Sequence, residues 1–265
     1  MYTTTDSVDI RIYNDDCFRV MEGLPVGAVN VILTSPPYNT SRDRRCKTLA
    51  DATPGYPTYR YDVHSDGMSD AEYKEWTVNL FREFARIVNL GGCVLYNLSY
   101  GRNGASPMLQ AIAAITERTT WRCFDIIYWR KKTAMPDNQS PNKLTRLVEP
   151  VFVFVREGEK EIFAVNKKLA STRESGQSMY SPIYNIFDAA NNDGENNLNK
   201  ATFSSQFARK LLEIYGRPGE IVFDPFCGTG TTAVACKQLG MHFIGSEISE
   251  AQCEYAAQRL QQTLL

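Results

Sequence analysis

One stretch constrains this chain more than any other: Ile221-Val222-Phe223-Asp224-Pro225-Phe226-Cys227-Gly228-Thr229-Gly230-Thr231-Thr232. A short apolar run ends in an acid. A turn with two glycines follows, then helical spacing from Ala233 to Leu239. Strand, glycine turn and helix in this order belong to an α/β fold, expected here as a mostly parallel sheet with helices on both faces. Gly228 and Gly230 let the backbone approach a ligand closely, and the helix start offers free N–H groups. A dinucleotide fingerprint wants a third glycine where Ala233 stands. A Walker loop wants Gly-Lys-Ser/Thr, which is absent.

The next strand, His242 to Gly245, runs out to Glu247, an acid where doubly wound folds hold a ribose diol. An adenosine-like ligand without a polyphosphate fits, and S-adenosylmethionine is one. Asp224 stands at a strand end and reads as a ligand contact rather than a core residue.

A second stretch, Thr34-Ser35-Pro36-Pro37-Tyr38-Asn39, follows the apolar run Val29, Val31, Ile32, Leu33, which reads as a buried parallel strand. Two prolines end that strand, because neither donates a ladder hydrogen bond. The carbonyls beyond it are expected to be unpaired. Ser35 adds an acceptor and Tyr38 a flat ring, which suits the edge and face of a nucleobase taken out of its stack. A Pro-Pro turn with a tyrosine packed beneath it accounts for the same residues equally well.

The two stretches together carry a family resemblance. Asp224 to Thr232 resembles the S-adenosylmethionine motif of DNA amino-methyltransferases, and Ser35-Pro36-Pro37-Tyr38 resembles their catalytic motif. Catalytic motif first and cofactor motif last resembles the beta class. The resemblance covers most of the chain. It implies a class I methyltransferase fold in circularly permuted order: a Rossmann-like, mostly parallel doubly wound sheet with loop insertions. Residues 1–265 then form a single domain, with 40–66 as an insertion loop and 162–199 as a short target-recognition region.

The same resemblance places Asp16-Cys17 against the adenine of the cofactor, although a helix N-cap at Asp15 or Asp16 also explains that pair. It adds Thr202, Phe203, Ser204, Phe226, Gly228, Gly230, Thr231, Thr232 and Glu247 to the cofactor site. The family expects His-Pro where Asn199-Lys200 stands. Met135-Pro136, followed by Glu149 and a strand, resembles the loop beside the flipped base.

A net charge of −1 gives no global pull toward nucleic acid, so local patches must supply it. Arg42, Arg44, Arg45 and Lys47 stand against Asp43 in a long irregular segment, which reads as a solvated loop or as a phosphate clamp. Arg130, Lys131, Lys132, Lys143 and Arg146 stand against Asp137 and follow Tyr128 and Trp129, a mixture that suits DNA. Ser69 and Glu72 predict a capping box opening a helix, which Gly91-Gly92 are expected to end. No apolar run is of membrane-spanning length, and Met1 to Asp9 is polar. Seven cysteines without a C-x-x-C pair and two distant histidines predict no metal site and a cytoplasmic protein.

The expected reaction is methyl transfer to the exocyclic amine of a flipped base in double-stranded DNA. The family's adenine enzymes usually carry Asp or Asn where Ser35 stands, and its cytosine-N4 enzymes Ser, so cytosine N4 is favoured over adenine N6. RNA or protein-amide methylation, and a degenerate DNA-binding module, are the more distant alternatives. A second copy of the chain and a cognate restriction endonuclease are candidate partners.

Overall fold

The computed structural model of the chain describes residues 1–4, 8–39, 68–99, 104–134, 141–194 and 203–263. Its first half holds β1 (Tyr2–Thr4), β2 (Ile10–Tyr13), α1 (Cys17–Glu22), β3 (Val29–Thr34), α2 (Asp70–Ile87), β4 (Val88–Asn97), α3 (Ser106–Arg118) and β5 (Trp121–Lys131). Then come β6 (Val148–Arg156), β7 (Leu169–Thr172), β8 (Ser178–Tyr180), β9 (Ile186–Ala189), α4 (Ser205–Tyr215), β10 (Ile221–Asp224), α5 (Thr231–Gln238), β11 (His242–Ser246) and α6 (Glu250–Gln262). One sheet has the strand order β1-β2-β11-β10-β3-β4-β6-β5-β9. Strands β2, β11, β10, β3 and β4 run parallel, as expected of a class I methyltransferase fold. Strand β6 lies antiparallel between β4 and β5, and β9 pairs parallel with β5.

Helices cover both faces, which is why the central strands read as continuous apolar runs. In β6, Val151, Val153 and Val155 join a core with Phe207 of α4, Ala235 of α5 and Ala256 of α6. The intervening Phe152 and Phe154 join the opposite core with Phe81 of α2 and Ile115 of α3. The capping box of α2 is present: Ser69 Oγ accepts from the Glu72 N–H, and Glu72 accepts from the Ser69 N–H. No described helix is long and apolar enough to cross a membrane.

Two expectations change. Gly91-Gly92 do not end α2; the helix stops at Ile87 and both glycines lie within β4. A Cβ on Gly92 would stand 2.5 Å from the Asn30 carbonyl, so close approach of strands, not a helix cap, demands glycine there. The 162–199 interval holds the ribbon β7–β8 and the edge strand β9. These strands span three or four residues each, too few for periodicity to show. Residues 40–66 lie outside the described residues.

Candidate active site

Strands β3 and β10 are parallel neighbours, with Val31 opposite Val222 and Ile32 opposite Phe223. From β3 the sheet grows outward to β4, and from β10 it grows the other way to β11 and β2. Ligands of doubly wound sheets bind at the carboxyl ends of the strands where the order reverses. At this point Thr34 Oγ1 donates to Asp224 Oδ1 at 2.7 Å, joining the two sequence stretches.

Asp224 also accepts from Thr232 Oγ1 at 2.7 Å and from the Phe226 N–H at 3.1 Å. It is 3% exposed, and burial pushes its carboxyl up to about 6 despite these donors. The carboxylate therefore faces into the protein. That corrects the reading of Asp224 as lying outside the core: two hydroxyls and a turn N–H need a buried acceptor, and Asp224 is it.

The loop after Asp224 has the expected form. Gly228 and Gly230 have φ of 51° and 77°. A Cβ on Gly230 would meet the Ala256 Cβ at 2.7 Å, so the α5–α6 contact by itself demands glycine here. The Gly228 N–H donates to Glu247 Oε2 at 3.0 Å, and the Ser249 N–H donates to Oε1 at 2.9 Å. Glu247 is thereby oriented by the glycine loop itself. Asn14 donates to the carbonyls of Glu247 and Ile248, at 3.0 Å in both cases, which draws the β2–α1 turn alongside.

In that turn Asp16 is the N-cap of α1, its Oδ1 accepting from the Phe18 N–H at 2.9 Å. Cys17 is buried and its thiol is pushed up to about 12 by burial. Thr231 Oγ1 accepts from Arg259 at 3.2 Å. Phe203 is buried against Phe207, and Ser204 caps α4. Thr202 and Asn199-Lys200 lie outside the described residues. Phe226 is half-buried and packs on Trp76, ring centroids 5.6 Å apart. The Thr229 hydroxyl is buried in the loop without a hydrogen-bond partner. An orphaned polar atom, a left-handed glycine turn and a helix N-terminus together suit an adenosine-type ligand.

Beyond β3, Ser35 Oγ lies 2.9 Å from the Tyr38 hydroxyl, which donates to Asn97 Oδ1 at 3.0 Å. Tyr73 donates to the Pro37 carbonyl at 2.8 Å, so this carbonyl is not unpaired as expected. The Pro36 carbonyl accepts nothing among the described residues. Asn39, with φ 50°, exchanges two bonds with the Met68 backbone and fastens the far end of the motif to the start of α2. Tyr73 and Asn97 escaped the sequence reading because both sit inside apolar patterns of α2 and β4. A lone polar residue at the end of a buried strand was the only sign of Asn97.

Residues 29–258 match the model of a family described as DNA methylase. The chain belongs to that family. This DNA methylase is an amino-methyltransferase of the beta class, and S-adenosylmethionine is its methyl donor. It is 24% identical over 282 residues to the Type II methyltransferase M.Cfr9I of Citrobacter freundii, covering 94% of this chain and 87% of that one. It is 21% identical over 269 residues to the Type II methyltransferase M.BglII of Bacillus subtilis, covering 94% and 68%. Its fold is similar to that of PvuII DNA methyltransferase (cytosine-N4-specific), with a TM-score of 0.69 and 13% identity over 99% of this chain and 92% of that one. M1.HpyAVI in complex with SAM gives a TM-score of 0.60 and 23% identity over 95% and 99%.

The basic residues of the DNA methylase are less free than a count along the chain implies. Arg130 and Lys131 are the last residues of β5, not part of a loop. Arg130 is ion-paired with Asp188 on β9, and Lys131 with Glu149 on β6. The Lys131 ammonium also lies 5.0 Å from the centre of the Trp129 ring. Neighbouring strands thus supply acids that the linear segment does not contain, and a phosphate would have to compete with them for both side chains. Lys132 is exposed and has no ion pair among the described residues. Arg42, Arg44, Arg45, Met135 and Pro136 lie outside the described residues. Lys132→Ala is expected to reduce the log–log salt slope of DNA binding by about 0.9, the value of one phosphate contact. Arg130→Ala and Lys131→Ala should change it less. Filter binding across a salt series measures this, and equal slopes for all three variants would refute the distinction.

Proposed function

We propose that this DNA methylase methylates N4 of a cytosine extruded from double-stranded DNA. The hydrogen bond between Thr34 and Asp224 carries the reading, because it ties the strand that ends in Ser35-Pro36 to the strand that opens the cofactor loop. The target amine donates one N–H to Ser35 Oγ and the other to the Pro36 carbonyl. Its lone pair is otherwise delocalised into the ring. Two acceptors held by a rigid Pro-Pro backbone draw the nitrogen toward tetrahedral geometry and return that lone pair to it. Phe226, the 228–232 loop, Glu247 and the Asp16-Cys17 turn would hold S-adenosylmethionine, which would supply an electrophilic methyl group. The new N–CH3 bond would replace the S–CH3 bond of the sulfonium, S-adenosylhomocysteine would leave as a neutral thioether, and the amine would release one proton to solvent, so no catalytic cysteine is required. The Tyr38 ring is buried beneath the motif and fixed at its hydroxyl, so it supports Ser35 from behind the extruded base rather than offering the base an open face. The ribbon β7–β8 and strand β9 are the elements assigned to target recognition.

Ser35 favours cytosine. A serine offers a neutral acceptor on a short side chain, whereas aspartate offers a charged acceptor further out. A pyrimidine amine can sit deeper than the amine of a purine. Both curated relatives named above are Type II methyltransferases, and a cognate restriction endonuclease is the partner this reading adds. Nucleoside mass spectrometry of DNA treated with the enzyme and S-adenosylmethionine is expected to show N4-methylcytosine. N6-methyladenine alone would overturn the base assignment, and no methylated nucleoside would overturn the activity.

A further inference from the structure

The hydrogen bonds behind Ser35 run in one direction only. The Pro150 carbonyl can only accept, so the Asn97 side-chain atom 3.0 Å from it is the amide nitrogen. The other end of that amide is an oxygen, and it can only accept from the Tyr38 hydroxyl 3.0 Å away. The single Tyr38 proton is thus committed to Asn97. In its 2.9 Å contact with Ser35 Oγ the Tyr38 oxygen must accept, and Ser35 must donate. Asn97 is 1% exposed and Tyr38 is 8% exposed, so little solvent reaches the chain to reverse it. Asn97 itself is the last residue of β4, paired there with Val151 of β6.

A serine hydroxyl is ordinarily both donor and acceptor. We propose that Asn97 is a positioning residue that acts through Tyr38 to make Ser35 an acceptor only. Ser35 Oγ and the Pro36 carbonyl then form a matched acceptor pair. Such a pair takes an exocyclic amine and rejects an exocyclic keto oxygen, which would face lone pairs on both sides. Substrate selection at this step is therefore set partly on β4, away from the proline motif. The inference rests on the functional reading above, since it concerns the amine which that reading places at Ser35.

Single-turnover transfer of a labelled methyl group to DNA, with thermal melting and S-adenosylmethionine affinity measured alongside, tests it in four proteins: wild type, Asn97→Ala, Tyr38→Phe and the double variant. Without Asn97 the Tyr38 proton can turn to Ser35 and leave a donor facing the amine. Asn97→Ala is therefore expected to slow transfer about tenfold or more, with cofactor affinity unchanged. Tyr38→Phe removes the hydroxyl that delivers the wrong polarity, so its loss is smaller, and the double variant matches Tyr38→Phe rather than compounding the two losses. A merely structural Asn97 predicts losses that multiply, and that result overturns the inference, as does a folded Asn97→Ala variant with wild-type rate. Should Asn97→Ala fail to fold, Tyr38→Phe decides alone: a slower rate at unchanged DNA affinity supports the chain, and an unchanged rate overturns it. A wild type that labels no DNA overturns the functional reading and this inference with it. A wild type that labels DNA while the losses multiply overturns the inference alone.

Discussion

Asp224→Ala is expected to abolish S-adenosylmethionine binding and to destabilise the fold as well. The buried carboxylate gathers Thr34, Thr232 and the Phe226 N–H. Alanine leaves two hydroxyls and one N–H in the interior without an acceptor. At about 1 kcal/mol or more for each orphaned donor, the loss is roughly 3 kcal/mol. The cofactor loop loses its anchor at both ends, because Phe226 opens it and Thr232 lies in the first turn of α5. The strand carrying Ser35 is released from it at the same time. Urea unfolding should report the lowered stability, and calorimetry with S-adenosylmethionine the lost affinity. A variant that remains as stable as the wild type and binds the cofactor equally well would show that Asp224 organises nothing.

Ser35→Ala is expected to act on the rate instead. One of the two acceptors for the amine is removed, while the cofactor loop is untouched. Removing one preorganised partner of a reacting group typically costs about 10²–10³ in rate. Cofactor affinity should not change, and the melting temperature should change little, since Ser35 is only half-buried and its side chain meets the Tyr38 hydroxyl alone among the described residues. Single-turnover methylation of DNA separates this outcome from that of Asp224→Ala. An alanine variant with wild-type rate would remove Ser35 from the chemistry and leave the Pro36 carbonyl as the sole acceptor.

The two variants differ because burial differs, and burial is what reading along the chain judged least well. Asp224 and Ser35 both stand just past apolar runs, and both read as ligand-facing. Only the packing of β3 against β10 turns one carboxylate inward and leaves one hydroxyl half-exposed. The basic segment after Tyr128 shows the same effect. Its charges add up along the chain, but Asp188 and Glu149, brought in by β9 and β6, take two of them.

What the amino-acid order determined by itself is local. Apolar runs covered on both faces, a serine cap with its glutamate three residues on, two prolines ending a strand and two glycines in a turn each have a short-range physical cause, and each is found where expected. The resemblance of the two motifs fixed their order and, with it, the sheet that joins them. The tertiary structure alone decided which polar groups meet. Thr34 finds Asp224 from 190 residues away, Asn97 reaches across to Pro150 from 53, and Tyr38 to Asn97 from 59. Hydrogen-bond direction depends on which atom faces which across a buried gap, and no spacing within one segment carries that information.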